Sequence, residues 1–482
     1  MKTFKQNFLI VAIPLILLGA CSKDLTKLNN DPKKPTTISY TALFTRGQYE
    51  LSNLLNTADY DYNPMNFFEQ YWQETTYTNE SYYDIFYRGI PDADWNILYL
   101  DVLSNLVQSD SLAKIQVTDA SQLVNIHAQI DVMEVTAFYY LLTTYGNVPY
   151  SEAFDIINQA FPKYDDAMTV YKDLLTRLSG DITALNDGTD GIGAADQIYS
   201  GDIDAWKKFA SSLELRMGIT IADADDALAK STVEAAAPNV FASNDDNAYY
   251  NYLSSLPYVN PSYNFAIVGA RIGDFVGCTT FITQLQSNND PRLPLYFTTN
   301  SDTSANYTGV APGKAGGSYF GHARPAQTVF IANFRGVFID YPETQFCLAE
   351  AAERGYNVGG TAGEFYKNGV EASILEWGGT QADADTYYAR PSVNYATATG
   401  TWQQKIGTQE WIALYNRAWD AWVETRRLGY PVLPAPTGAV SGFPERFTYP
   451  VTETNVNPDN YQAAASAIGG DKVPTKLFFV KN

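Results

Sequence analysis

The side chains in this chain best suited to act on another molecule are aromatic rings set close to amides and charges. Between Tyr77 and Arg88 stand Asn79, Tyr82, Tyr83, Asp84, Phe86 and Tyr87, and further on come Tyr296, Tyr307, Tyr319 and Phe320. A ring face stacks on apolar C–H surface while Asn, Asp and Arg hydrogen-bond hydroxyl edges, and a sugar presents both kinds of surface. The competing reading for every ring is that it packs a loop onto its scaffold, since large aromatics are mostly buried.

Patterns for other chemistry are weak or broken. His127 and His322 are the only histidines, too few for a histidine-rich metal site or a two-histidine mechanism. His127 falls on a predicted helix and His322 in a loop beside Tyr319, Phe320 and Arg324. Gly309-Val310-Ala311-Pro312-Gly313-Lys314-Ala315 has the wrong gap for a phosphate loop and lacks the Ser or Thr that would hold magnesium. Gly191-Ile192-Gly193-Ala194-Ala195-Asp196 fails the dinucleotide pattern at its last glycine. Asp59-Tyr60-Asp61-Tyr62-Asn63 begins like a calcium loop, but Pro64 replaces the turn glycine and Gln70 stands where a bidentate Glu is needed. No cofactor, metal site or catalytic residue is therefore expected. A glycosidase carboxylate pair leaves no spacing signature, and in a chain with 53 acids most are solvated surface.

Composition narrows the partners. With 45% hydrophobic and 18% charged residues, 482 residues can bury a large core. The net charge of -21 repels phosphate backbones, which excludes nucleic acid as a partner.

The N-terminus reads as an address. Lys2 and Lys5 precede an apolar run from Phe8 to Leu18, which is too short to span a bilayer and has the layout of a secretory signal. Leu18-Gly19-Ala20-Cys21 matches a lipobox: residues 1–20 are removed and Cys21 is acylated, so that two or three chains anchor the protein to a membrane. Residues 21–37 are polar and proline-containing, as suits a tether. Cys278 and Cys347 read as core cysteines and indicate no disulfide framework.

The remainder, 38–482, reads as one mostly helical domain. Steps of three and four place Ile126, Ile130, Met133, Ala137, Leu141 and Tyr145 on one helix face, closed by Gly146. The pattern returns from Asp165, an expected N-cap, through Leu185, and again from Trp206 to Ile221. Tyr341 to Arg354 and Phe365 to Trp377 form a helical hairpin, with Gly359-Gly360 at the turn and a capping box spaced Thr361 to Glu364. Small residues facing bulky ones are what stacked tetratricopeptide-type hairpins use, although the strict repeat is absent. Trp95, Trp206, Trp411 and Trp422 are expected in the core. From about 241 to 333 the texture turns to Tyr, Asn, Gly, Pro and Ser, an aromatic loop-rich insertion. Leu477-Phe478-Phe479-Val480 is expected to dock as a strand.

Six blocks in order resemble the SusD/RagB family of nutrient-binding outer-membrane lipoproteins. They are the lipobox with Asn30-Asp31-Pro32; Tyr139-Tyr140-Leu141 to Tyr150; Trp206 to Met217; Asn289-Asp290-Pro291-Arg292-Leu293-Pro294; Tyr341-Pro342-Glu343 to Tyr356; and Glu410-Trp411 to Pro431. The resemblance implies a SusD-like fold, with four tetratricopeptide-like helix pairs as scaffold and a loop-rich ligand region. It also implies an outer-membrane position facing the exterior, in line with Ser22-Lys23-Asp24 after the lipobox. The implied partner is a SusC-like TonB-dependent transporter, to which captured oligosaccharide, or peptide in some members, is delivered unmodified. A protein-binding helical-repeat scaffold and an anchored glycoside hydrolase are the alternatives. The long Tyr/Asn insertion speaks against a plain scaffold, which binds along its concave helical face.

Overall fold

Apolar residues at helical steps fold Tyr40–Asn56 into α1, burying Phe44, Leu51, Leu54 and Leu55. The computed structural model describes residues 38–301, 306–313 and 317–480, so the expected signal, Cys21 and tether lie outside the described residues. The scaffold continues through α2 (Ser104–Gln116), α3 (Ala120–Tyr145), α4 (Ala167–Ala184), α5 (Ile203–Thr220) and α6 (Asp226–Ala236). It ends with α7 (Tyr341–Glu353), α8 (Ala362–Glu376), α9 (Trp402–Ala413) and α10 (Ala418–Leu428). Consecutive helices pack in pairs, α1 on α2 through α9 on α10, and α7 also meets α5 and α9.

Local chemistry sets the helix ends. Asp119, Asp166 and Asp202 accept backbone N–H bonds at the starts of α3, α4 and α5. The cap of α4 is thus Asp166 and not Asp165; Asp165 sits in a two-residue strand, where its carboxylate holds the N–H groups of Tyr150 and Ser151. The Thr361–Glu364 capping box of α8 forms in both directions. Gly146 closes α3 at φ +85°, a conformation strained for other residues.

Close approach within helix pairs falls on glycine. A Cβ on Gly47 of α1 would lie 2.7 Å from Leu106 of α2, and one on Gly369 of α8 would lie 3.0 Å from Phe346 of α7. This is the small-against-large packing that the helix faces predict.

The four expected tryptophans are in the core, none more than 7% exposed. Cys278 and Cys347 are buried and unpaired. Beneath α5, α7 and α10 lies a network of ions. Arg216 makes a two-pronged bond to Glu343 at 2.5 and 2.7 Å, and Arg417 reaches Glu343, Asp420 and Asp340. Nearby, Arg427 grips both oxygens of Glu350. Asn289 to Arg292 forms a turn closed by an Arg292–Asp290 bridge of 2.7 Å with both side chains fully buried.

The insertion is built of short pieces, the longest a helix over Thr279–Ser287. It is tied to the domain by β1 (Trp72–Glu74) and β2 (Phe275–Gly277), antiparallel with Trp72 opposite Gly277 and Glu74 opposite Phe275. Residues 477–480 do not form a strand. They turn, and Leu477, Phe479 and Val480 pack on Val423, so burial rather than ladder bonding fixes them.

Candidate functional site

The loop after β1 is held from below by polar bonds. Thr75 N–H and Oγ1 continue the ladder onto the carbonyls of Asp274 and Gly273. Buried Glu74 accepts the N–H and Oγ–H of Ser81 at 3.0 and 2.8 Å. Asp84 accepts the N–H groups of Phe86 and Tyr87, and its other oxygen takes a bond from Asn79. Asn79 and Asp84, expected to meet a ligand, therefore use these side-chain atoms to shape the loop.

That shape presents three rings to solvent: Tyr77 at 52%, Phe86 at 55% and Tyr87 at 70% exposure. Arg88 lies against two of them, its guanidinium 5.7 Å from the centroid of Tyr77 and 5.6 Å from Tyr87, and 4.5 Å from buried Tyr60. Glu80 holds it at 2.8 Å and Asp61 at 3.3 Å, and it donates to the Tyr77 carbonyl at 3.2 Å. Arg271 covers Tyr77 from another side at 5.2 Å. The result is an aromatic platform rimmed by fixed cations and carboxylates, able to stack on an apolar sugar face and donate to hydroxyls. It offers no nucleophile paired with a base.

Other expected residues fall elsewhere. Tyr83 is 2% exposed, packed edge-on to Phe68 and Phe443, and Tyr296 is fully buried, stacked 4.2 Å from Tyr415 with its hydroxyl donating to Ile412. Neither can meet a ligand; both reflect the burial that large rings gain by anchoring loops. Tyr82 is half-buried, its carbonyl accepting from Val440. Tyr307 is half-buried against the core. Tyr319 and exposed Phe320 form a smaller patch 5.1 Å apart with Arg324 over both rings, and His322 Nδ1 donates to the Ser318 carbonyl. His127 pairs with Asp110 at 2.8 Å on the helix surface.

Tyr60, Asp61 and Arg271 are platform residues that the sequence did not single out for this role. Asp59 to Asn63 drew notice only as a failed calcium loop, and Tyr60 is a buried base that no composition argument would find. The same turn borders a cleft of about 380 Å³ lined by Tyr49, Asn53, Asp59, Tyr62 and Asp101. A separate cleft of about 450 Å³ is lined by Arg354, Trp402 and Arg427, without a cluster of exposed rings. Among the described residues no three His, Cys, Asp or Glu side chains gather as a metal cage, and no helix is long and apolar enough to cross a membrane.

The fold and the sequence have relatives. No curated protein resembles the sequence at a significant level. A solved chitin-binding protein superposes with a TM-score of 0.80 at 29% identity, over 92% of this chain and all of its own. A SusD homologue from Bacteroides uniformis gives 0.79 at 25% identity, over 92% of this chain and 99% of its own. A chitin-binding SusD homologue from Flavobacterium johnsoniae shares the fold, at 0.77 and 23% identity over 92% of this chain and 99% of its own. Residues 32–450 match the family model described as starch-binding and associating with the outer membrane, and the chain belongs to that SusD-like family.

Proposed function

We propose that this chain is a non-catalytic surface lipoprotein of the outer membrane, anchored through Cys21. It captures an oligosaccharide and passes it to a SusC-like TonB-dependent transporter. The observation that carries the ligand half is the platform of Tyr77 and Tyr87 over Arg88, with exposed Phe86 next to Tyr87 in the chain: three solvent-facing rings beside fixed hydrogen-bond donors and acceptors suit stacking on a glycan. Family membership supports the outer-membrane and delivery half. The likeness to a chitin-binding protein makes N-acetylated glucosamine oligomers the first ligands to test.

The test is calorimetric titration of the purified protein with chito-oligosaccharides, other oligosaccharides and mixed peptides, with product analysis after long incubation. Saturable binding of a glycan, weakened by Tyr87→Ala and without turnover, is the expected result. Binding of peptides alone would replace the glycan reading, and release of shortened sugar would replace the non-catalytic one. Co-purification with the transporter from mild-detergent membranes tests the partner.

A further inference from the structure

Tyr60 joins the platform to a second set of rings. Its ring centroid lies 6.3 Å from that of Tyr77 on the platform and 5.1 Å, edge-on, from that of Phe265. Phe265 lines the cleft of about 380 Å³ together with Tyr49 and Tyr62, the last 38% exposed. A cavity of this size is in the range of small-molecule sites. One turn serves both places: Tyr60 and Asp61 hold Arg88 for the platform, while Asp59 and Tyr62 line the cleft.

The charged groups of the cleft are all of one sign. Glu50, Asp59 and Asp101 line it, and no described Lys, Arg or His does. Arg46 pairs with Glu50, whereas Asp59 and Asp101 form no ion pair with a described residue. Asn53, on the same wall, adds an Oδ1 that is buried without a hydrogen-bond partner. The platform is the reverse, because Arg88 and Arg271 both lie against Tyr77 and neither lines the cleft. A ligand that reaches from one to the other meets donors at the platform and acceptors in the cleft.

We propose that the cleft of Tyr49, Tyr62 and Phe265 takes an amine-bearing sugar unit of the captured oligosaccharide, its ammonium bound by Asp59 and Asp101 and its ring set against Tyr62. The proposal rests on the glycan reading of the platform and adds a charge preference to it. An ammonium donates charge-assisted hydrogen bonds to carboxylate and amide oxygens, and the faces of tyrosine rings attract it. An N-acetylated unit carries no charge at the same position. The cleft therefore tells apart two forms of one sugar that the platform, by stacking on the sugar face alone, accepts equally. The net charge of -21 favours the cationic form at longer range as well.

The experiment is calorimetric titration of the purified protein with chito-oligosaccharides of one length, fully N-acetylated and fully deacetylated, at low and high salt, with a lysine-bearing peptide as a third probe. The deacetylated form should bind about tenfold more tightly, the scale of one hydrogen bond to a charged group, and high salt should shrink the difference. Asp101→Asn should bring the two affinities together while the exposed control Asp187→Asn keeps them apart; should Asp101→Asn fail to fold, Asp59→Asn is read in its place. Equal affinities in wild type, a preference untouched in the folded variant, or binding of the peptide in place of either sugar overturns the cleft assignment. N-acetylated sugar bound without any such preference, and weakened by Tyr87→Ala, overturns it while the proposed function stands; only silence towards both sugars removes the two together.

Discussion

Arg88 lies over the ring of Tyr60 at 4.5 Å while its Nε donates to Glu80 at 2.8 Å, so one side chain joins a buried carboxylate to the base of the exposed platform. Strand pairing fixes the loop's start, and this arginine fixes its end. The two devices let a loop with three solvent-facing rings keep one shape before any ligand arrives, which lowers the ordering cost of binding.

Removing Tyr87 and removing Arg88 should therefore differ in kind. Tyr87→Ala takes away an exposed stacking face and should weaken glycan binding by about tenfold, or ~1.4 kcal/mol, with the melting temperature unchanged. Arg88→Ala leaves buried Glu80 without its cation and should lower both affinity and melting temperature. Calorimetric titration and thermal melts on the two variants separate the outcomes.

Breaking the ion network should be felt throughout the domain. Glu343 receives Arg216 and Arg417 in a fully buried setting, and Glu343→Gln should destabilise by about 3–5 kcal/mol, the range found when one member of a buried pair is removed. A urea denaturation midpoint measures it; a loss under 1 kcal/mol would contradict the structural role given to this pair.

Stability should fall as the pH rises through neutrality. Burial pushes Glu69 up to about 8, and Glu134 and Glu214 up to about 7, from ordinary values of 4.5. Their folded forms hold protons more tightly than the unfolded chain does. The stability they contribute is complete below pH 4.5 and is lost as pH rises through 7 to 8. Melting temperatures measured from pH 5 to 9 should decline, and Glu69→Gln should flatten the upper part of the decline.

At the α1–α2 crossing, Gly47→Ala should cost about 1–3 kcal/mol, because its methyl would lie 2.7 Å from Leu106. Leu106→Val in the same chain should recover part of the loss, measured by denaturant midpoints in a double-mutant cycle.

Much of the scaffold was legible because helices announce themselves locally. The three- and four-residue steps of α3, the Thr361 capping box and the Gly146 stop each depend on neighbours within a few positions. The loop Tyr77 to Arg88 was legible as a region for a similar reason, its density of rings. Which rings face out was not, because exposure depends on distant partners. Tyr83 is covered by Phe443 and Tyr296 by Tyr415, both more than a hundred residues away.

The buried ion network also bears on kinship. Arg216, Glu343, Glu350, Arg417 and Arg427 belong to the sequence blocks by which the chain resembles its family, and in the fold they lie indoors. None of those blocks supplies Tyr77, Phe86, Tyr87 or Arg88. Resemblance of this sort therefore sorts chains by frame and not by rim: two members can agree at every recognisable block and differ in every ring of this loop.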